Sequence, residues 1–323
     1  MNVLSLFDGI SCGKLALQRA NIDVDNYYAS EIDLYAIAIS KYNHKDIVHL
    51  GDVTKWQEWE LPKIDLLLAG SPCQGFSNAG IGLNFNDPRS KLFFTFLEIL
   101  SKLQPTYFLL ENVKMKKEWV DIITQLVGVK PILINSALVS AQNRERYYWT
   151  NIPVSQPEDK GILLKDILLN DADEPMLSNI YGGWKEKQPR THWNKSVTIR
   201  TASGGGHIPS LIISDKAKQY MDRIVKDGRT HWDFKHHSDI TQDDLSCVTA
   251  NHHKKLPYAV LKDKNCIRYV DPIECERLQT LPDGYTMYGI GKIKISNTQR
   301  YKCIGNGWTV DVIAHILKGL KNE

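Results

Sequence analysis

The chain has 323 residues and a formal net charge of +3, with 42% hydrophobic and 24% charged residues, a composition typical of a globular protein with one large or two modest domains. No run approaches the roughly 18 apolar residues of a membrane span, and the N-terminal segment has neither a basic lead nor a cleavage site, so we expect a cytoplasmic protein without a membrane partner. The small positive charge neither indicates nor excludes a nucleic acid.

Short apolar runs alternate with helical patterns over the first 151 residues. The sequence predicts strands at residues 3–7, 26–30, 46–50, 64–70, 106–113, 132–139 and 146–150. It predicts helices at 11–20, at 33–42, from Pro88 to just before Pro105 and after residue 113. This alternation is typical of a doubly wound α/β sheet, in which ligands bind beyond the carboxyl ends of the strands.

The pattern changes after about residue 152. Pro, Gly, Asn and Asp become frequent, seven of the ten histidines lie between 192 and 253, and short β segments stand out at 196–201 and 245–250. These features predict a smaller β-rich domain over 152–266. Helical patterns return at 271–279, 298–304 and 309–320, so we expect residues 267–323 to rejoin the first domain.

The β-rich region contains a repeated tetrapeptide and a group of possible metal ligands. The tetrapeptide Arg-Thr-His-Trp occurs at 190–193 and again at 229–232, each time followed by a Val-Thr segment and a turn. It is either a repeated strand-loop unit or a coincidence within a His- and Trp-rich stretch. Cys247, His252 and His253 do not complete a four-ligand zinc pattern, so no metal site is predicted.

Acidic residues follow the early strands. The segment FDGISCG (7–13) follows the first strand, Glu31 ends the second, and Asp52 follows the third. An Asp-Gly pair after a strand is often only a turn, but carboxylates on consecutive strand ends favour an adenosine ligand. A dinucleotide is not indicated, because GxGxxG is missing.

Three further segments carry groups with catalytic chemistry. Cys73 lies in GSPCQGFS (70–77) at the end of the fourth strand, Glu111 ends the fifth, and QNRER (142–146) leads into the last. An isolated Cys is more often a buried structural thiol than a nucleophile. The six cysteines form no CxxC pair, so we expect free thiols. Glu111 has the alternative of a solvated or capping carboxylate, and the arginines that of surface ion pairs.

Taken in order, the segments FDGISCG, Glu31, GDV, SPCQ, ENV, QNRER, ECERLQTLP and GNG resemble the DNA cytosine-5 methyltransferase family over nearly the whole chain. The resemblance implies a Rossmann-like, S-adenosylmethionine-dependent methyltransferase domain over 1–151 and a target-recognition domain over 152–266. The C-terminal segment 267–323 would return to the catalytic domain. Residues 268–282 resemble the segment that supports the recognition domain.

The family's functional residues map onto this chain. The resemblance implies that the catalytic residues are Cys73, Glu111 and Arg144. It implies that S-adenosylmethionine is bound by Phe7, Asp8, Gly9, Ile10, Glu31, Ile32, Asp52, Val53 and Asn306. We expect DNA contacts from Ser71, Pro72, Gln74, Arg89, Arg146 and Gly205.

The implied reaction transfers a methyl group to C5 of a cytosine flipped out of double-stranded DNA, and it yields S-adenosylhomocysteine. Cys73 would add to C6, Glu111 would protonate or share a proton with N3, and Arg144 would stabilise the O2 side. The Gly-, Asn- and Ser-rich stretch 74–89 would close over the base. The turns at 204–207 and 251–253 are the candidate groove loops. We expect a monomer, with a restriction endonuclease acting on the same site as a candidate partner.

The chain departs from the common family pattern at three places. It has FDGISC where many bacterial members have FAGxGG, Ser71 where many have Pro, and GNGWTV (305–310) in place of GNS-V. These variants are similar to the branch that contains the animal de novo methyltransferases. None of them changes Cys73, Glu111 or Arg144, so the implied reaction class is unaffected.

Three other classes compete with this interpretation. An RNA cytosine-5 methyltransferase of the tRNA-modifying branch would carry a Cys-Phe-Thr signature, which this chain lacks. A catalytically silent DNA-binding regulator on the same scaffold would be expected to have lost Cys73, Glu111 or Arg144. A Rossmann oxidoreductase is disfavoured by the missing GxGxxG.

Overall fold

The structure is a computed structural model that describes residues 1–70, 88–169, 173–178, 190–199, 210–212 and 267–321. Its centre is a seven-stranded sheet of β1 (Asn2–Leu6), β2 (Asn26–Ser30), β3 (Ile47–His49), β4 (Leu66–Gly70), β5 (Tyr107–Val113), β6 (Pro131–Asn135) and β7 (Glu145–Thr150). The strand order is β3-β2-β1-β4-β5-β7-β6. Strands β1 to β5 pair in parallel, and β7 runs antiparallel to both of its neighbours.

Helices cover both faces of this sheet. They are α1 (Cys12–Arg19), α2 (Leu34–Asn43), α3 (Pro88–Leu103) and α4 (Lys117–Val127). Alternate residues of one strand enter different cores, since Val3 packs with α1 while Leu4 packs with Phe93 and Phe96 of α3. Burial on both faces explains the nearly continuous apolar strands. The predicted doubly wound α/β class is confirmed.

The C-terminal segment packs back onto the first domain. It contains α5 (Pro272–Leu278), α6 (Asn297–Asn306) and α7 (Val310–Leu317), with a short pair of strands, β12 (Tyr288–Gly289) and β13 (Ile293–Lys294), between α5 and α6. Helix α7 packs along α1, and Arg19 pairs with Asp311 at 2.7 Å. Helix α1, near the start of the chain, and helix α7, near its end, therefore pack together on one face of the main sheet.

A buried ion pair organises the segment between α5 and α6. Glu276 is fully buried and accepts hydrogen bonds from the backbone N–H groups of Gly284 and Thr286, at 2.6 and 2.8 Å. Arg300 of α6 pairs with the same carboxylate at 3.0 Å. A buried charge is tolerated when it is paired and hydrogen-bonded in this way. The pair fixes the loop that carries Tyr285.

A second, smaller sheet is antiparallel. Its strands are β8 (Asp173–Ser178), β9 (Arg190–His192), β10 (Ser210–Ile212) and β11 (Ile267–Tyr269), in the order β11-β10-β8-β9. Strand β11 lies just beyond the predicted boundary at residue 266 and pairs with β10. The first Arg-Thr-His-Trp copy supplies β9, and the second copy at 229–232 lies outside the described residues.

The β segment predicted at 196–201 is wrong over its described part. Residues 196–199 form only one bridge, between Gln142 and Ser196. Next to it, the ammonium group of Lys195 donates to the backbone carbonyls of Ala137, Ser140 and Ile162. These bonds hold the segment against the first domain in place of a sheet. The segment predicted at 245–250 lies outside the described residues.

Within the described ranges, none of the helices combines the length and apolar character that crossing a bilayer requires.

The short helical turn Lys318–Lys321 lies against the chain leaving β7, and Gly319 marks the closest approach. A Cβ atom at Gly319 would lie 2.1 Å from the carbonyl oxygen of Pro153. We expect Gly319→Ala to lower the free energy of unfolding by about 1–3 kcal/mol, because a backbone atom must move. Lys318→Ala, an exposed change in the same turn, is the control and should be nearly neutral. Equal urea midpoints for the two variants would contradict the close approach.

Candidate active site

The loop after β1 has an unusual backbone. Phe7, Gly9 and Ser11 have φ values of 57°, 60° and 61°, in the left-handed region. Two of these are not glycine, so the surrounding structure must compensate for their strain. The carboxylate of Asp8 supplies part of this compensation, since it accepts hydrogen bonds from the Ser11 hydroxyl and from the Tyr27 hydroxyl at 2.8 Å. Burial raises the pKa of Asp8 to about 6.

Glu31 joins this loop to the end of β2. Its Oε2 accepts from the backbone N–H of Gly9 at 2.8 Å, and its Oε1 accepts from those of Ile32 and Asp33. The side chain of Ile32 is 71% exposed beside it. The structure therefore brings Gly9, Glu31 and Ile32 together, as the sequence predicts.

The other residues predicted to hold the cofactor are distributed around the same edge. Asp52 is exposed and caps the turn Val53–Glu58 by accepting from the Thr54 N–H at 2.9 Å, while Val53 is buried. Ile10 is fully buried and Asn306, the last residue of α6, is exposed. The carboxylate of Asp8 makes its hydrogen bonds within the loop and the core.

Glu111 lies at the carboxyl end of β5, in register with Gly70 of β4. It is 8% exposed and has a donor on each oxygen. Oε1 pairs with Nε of Arg146 at 3.1 Å, and Oε2 accepts from the indole Nε1 of Trp308 at 3.1 Å. The carboxylate is thus held by one cation and one neutral donor.

The two arginines of QNRER have different surroundings. Val113 pairs with Arg146 and Glu111 with Tyr148, so Arg146 is the diagonal neighbour of Glu111 on one face of the sheet. Arg144 precedes β7 and is 4% exposed. Its guanidinium donates to the carbonyls of Ile199, Gly305 and Gly307 at 3.2, 3.3 and 3.0 Å. The structure therefore places Arg146 on Glu111, whereas Arg144, the arginine predicted to be catalytic, is hydrogen-bonded to backbone carbonyls.

Several predicted site residues lie outside the described part of the chain. These are Ser71, Pro72, Cys73, Gln74 and Gly205. Arg89 belongs to the first turn of α3, and its side chain is not described.

Sequence reasoning missed three residues that build the site. Tyr285 donates from its hydroxyl to the carbonyl of Ile10 at 2.8 Å, and Nε2 of His44 lies 2.9 Å from that hydroxyl. No local pattern predicts a contact between such distant residues. Trp308 is the third missed residue. The sequence does mark its position, because Trp308 lies where the chain departs from the closing GNS-V pattern.

Comparison with known proteins agrees with this architecture. The family described as C-5 cytosine-specific DNA methylase matches residues 1–322. Type II methyltransferase M.NlaX of Neisseria lactamica is 28% identical over 341 residues, which cover 99% of this chain and 96% of that protein. Type II methyltransferase M1.ScrFI of Lactococcus lactis subsp. cremoris is 29% identical, over 96% of this chain and 75% of that protein.

A solved structure supports the fold alone. A DNMT2 mutant from Spodoptera frugiperda superposes over 99% of both chains with a TM-score of 0.67 and 22% identity. The matching family and the two curated relatives define a methyltransferase, and its fold is of the doubly wound α/β class. The chain belongs to the C-5 cytosine-specific DNA methylase family, and its activity is that of a DNA cytosine-5 methyltransferase.

The contacts of the two arginines predict different effects for the same substitution. Arg144→Lys keeps the charge but loses the guanidinium fork, which leaves buried carbonyls without donors at about 1–3 kcal/mol each. Arg146→Lys can still pair with Glu111 Oε1, so no buried charge is left without a partner and its free energy of unfolding should fall less than that of Arg144→Lys. We expect Arg144→Lys to unfold at a clearly lower temperature than Arg146→Lys in calorimetry. Equal losses would contradict the assignment of Arg144 as the buried support.

His44 predicts a pH dependence of stability. The Tyr285 hydroxyl donates to Ile10, so His44 Nε2 must be the donor to that hydroxyl. Burial lowers the pKa of His44 from 6.5 to about 4, so the folded state binds its proton less tightly than the unfolded state. This contribution is present above pH ~6.5 and is lost as the pH falls toward ~4. The stability advantage over His44→Gln should shrink in this window, by up to about 1.4 kcal/mol per pH unit.

Asp8 provides the matched control for that experiment. Its raised pKa gives the opposite sign, because the folded state binds this proton more tightly and loses stability as the pH rises from about 4 to about 6. Urea unfolding of Asp8→Asn, His44→Gln and the unsubstituted protein between pH 4 and 7 separates the two groups. A pH-independent gap between His44→Gln and the unsubstituted protein would show that His44 is not held neutral.

Proposed function

We propose that the chain transfers a methyl group from S-adenosylmethionine to C5 of a cytosine flipped out of double-stranded DNA, through a covalent bond between Cys73 and C6. The observation that carries the proposal is the setting of Glu111. Its carboxylate lies at the end of β5 with Arg146 on one oxygen, in register with Gly70. The chain passes from Gly70 through two residues to Cys73, so the thiol is tethered to the adjacent strand end.

The strand ends β1, β2 and β3 fit an adenosine-type cofactor. Ile32 exposes 71% of an apolar side chain on which a purine can pack. Glu31 at the end of β2 and the exposed Asp52 after the neighbouring strand β3 supply carboxylates, which are the acceptors that ribose hydroxyls and an exocyclic amine need. The positive φ of Gly9 lets the backbone approach a ligand closely. Held by these residues, S-adenosylmethionine would supply a methyl group on a sulfonium, and S-adenosylhomocysteine would be the leaving group once C5 has taken the methyl.

Cys73 provides the nucleophile in this mechanism. C5 of cytosine is too weakly nucleophilic to take a methyl group directly. Addition of the Cys73 thiolate to C6 forms a carbon–sulfur bond and shifts electron density to C5. A thiolate is suited to this because it is also a good leaving group.

Glu111 and Arg146 act on the opposite edge of the base. Glu111 gives or shares a proton at N3, which neutralises the charge that develops in the ring while sulfur adds. Arg146, which already lies on Glu111, stabilises the O2 side and fixes the plane of the base. We assign this role to Arg146 and not to Arg144, the residue that the sequence predicted, because the guanidinium of Arg144 is hydrogen-bonded to three backbone carbonyls.

The reaction ends by elimination. A base or a water molecule removes the proton from C5, the electron pair re-forms the C5–C6 double bond, and the Cys73 thiolate leaves. Glu111 takes back the N3 proton. The enzyme is thereby returned to its starting protonation state.

A base inside a duplex cannot enter such a crevice, so the cytosine must be flipped out. We assign this task to Ser71, Pro72 and Gln74 on the segment between β4 and α3, together with Arg89 in the first turn of α3. We assign sequence reading to the β-rich part over 152–266 with Gly205. The protein acts as a monomer in this proposal, and a type II endonuclease of the same specificity is its natural partner.

The proposal is tested with methyl-labelled cofactor. Purified protein should label cytosine in duplex DNA, and label confined to tRNA would reassign the substrate to RNA. Duplex DNA with 5-fluorocytosine at the target should form an adduct that survives denaturation, because fluorine at C5 cannot be removed as a proton.

The matched variants identify the nucleophile. Cys73→Ala should abolish both the adduct and methyl transfer. Cys275→Ala, a change at a fully buried free cysteine, should retain both. An adduct that persists in Cys73→Ala would overturn the covalent mechanism.

A further inference from the structure

The indole ring of Trp308 lies where the ends of α1, β4 and β5 meet. It is 9% exposed, and its Nε1 donates to Glu111 Oε2 at 3.1 Å. A Cβ atom at Gly70 would lie 2.9 Å from Nε1, and one at Gly13 would lie 3.4 Å from the far edge of the ring. The ring therefore fills the space between the loop after β1 and the carboxylate on β5.

The turn that carries Trp308 is held from several sides. The carbonyl of Gly307 accepts from Arg144 at 3.0 Å and from Nε2 of Gln279 at 3.2 Å. On the other side of the turn, a Cβ atom at Gly307 would lie 3.2 Å from the sulfur of the buried Cys12. Two donors fix the carbonyl that precedes Trp308, and the indole itself lies against Gly70 and Gly13, so the ring has little freedom to move. The position of the indole is thus set by the fold, not by the ligand.

This arrangement constrains the carboxyl group of Glu111. An indole N–H can only donate, so Oε2 can present no proton toward Trp308. At Oε1, the Nε–H group of Arg146 occupies one lone-pair direction in the same way, so a proton on Oε1 cannot point toward Arg146. Two donors on different oxygens fix both the plane and the rotation of the carboxyl group. Any proton that Glu111 carries must point along the remaining lone pairs.

We infer that Trp308 is a positioning residue for the reaction, which holds Glu111 in the orientation that reaches the cytosine ring and links it to the turn beside the cofactor loop. The inference rests on the proposed role of Glu111. Gly70 is the residue that permits the link, since a side chain there would meet the indole nitrogen. Trp308 itself exchanges no proton with the substrate.

Trp308→Phe removes the N–H and keeps an aromatic ring in the same site. We expect kcat to fall about 10- to 100-fold, the size of effect expected when a catalytic group is misplaced. Affinity for S-adenosylhomocysteine, measured by calorimetry, should change less than about threefold. A retained kcat with a raised KM for the cofactor would overturn the inference and make Trp308 a cofactor contact.

Trp149→Phe is the matched control. Trp149 is fully buried, and its indole donates to the Thr124 hydroxyl at 3.0 Å, away from Glu111. It should lose stability without a comparable loss of kcat. An equal loss of kcat in both variants would show a general structural effect and overturn the inference.

A double-mutant cycle with Glu111→Ala distinguishes positioning from an independent effect. If Trp308 acts through Glu111, adding Trp308→Phe to Glu111→Ala changes kcat little further, whereas independent effects would multiply. Multiplication would overturn the positioning role and leave the role of Glu111 intact. A Glu111→Ala variant with unreduced kcat would instead overturn the proposed function of Glu111 itself.

Discussion

The buried guanidinium of Arg144 is the interaction on which the site depends. It donates to carbonyls of Ile199, Gly305 and Gly307, which belong to two segments far apart in the chain. A charge this deeply buried is stable only when its donors are used, so these segments must come together for the protein to fold. Burial lowers the pKa of Arg144 to about 10, which leaves it charged at neutral pH. The support of the site is therefore built before any ligand binds.

The C-terminal segment then completes a crevice that begins at the N-terminus. Helix α7 packs on α1, the Tyr285 hydroxyl holds the carbonyl of Ile10, and Trp308 holds Glu111. Each of these contacts joins residues separated by most of the chain. The loop after β1, to which we assign the cofactor, and the end of β5, to which we assign the base, consequently share one support. A substitution in the loop after β1 or at the end of β5 should therefore affect the other through the C-terminal segment.

Sequence alone predicts the parts of this arrangement that follow from local periodicity. Strand β2 spans the predicted residues 26–30, and α3 begins at the predicted Pro88. The approach of Gly9 to Glu31 is also predictable, because carboxyl ends of parallel strands meet at one edge. The sequence does not predict which of Arg144 and Arg146 contacts Glu111, because residues two apart in an extended segment share a face. Only the start of β7 at Glu145 separates them. The sequence also does not predict how Lys195 holds residues 196–199 in place, because the carbonyls to which it donates are distant in sequence.

Two of the departures from the common family pattern explain each other in three dimensions. Cys12 belongs to FDGISC and Gly307 to GNGW, yet a Cβ at Gly307 would lie 3.2 Å from the sulfur of Cys12. A side chain at 307 would press on that sulfur, so glycine fits beside Cys12, and the next residue, Trp308, lies against Gly70 and Glu111. A sequence pattern treats the two departures as independent substitutions. In the folded chain they are neighbours: a larger residue at the start of α1 lies against a glycine in the closing turn, and the indole that follows this glycine donates to the Glu111 carboxylate.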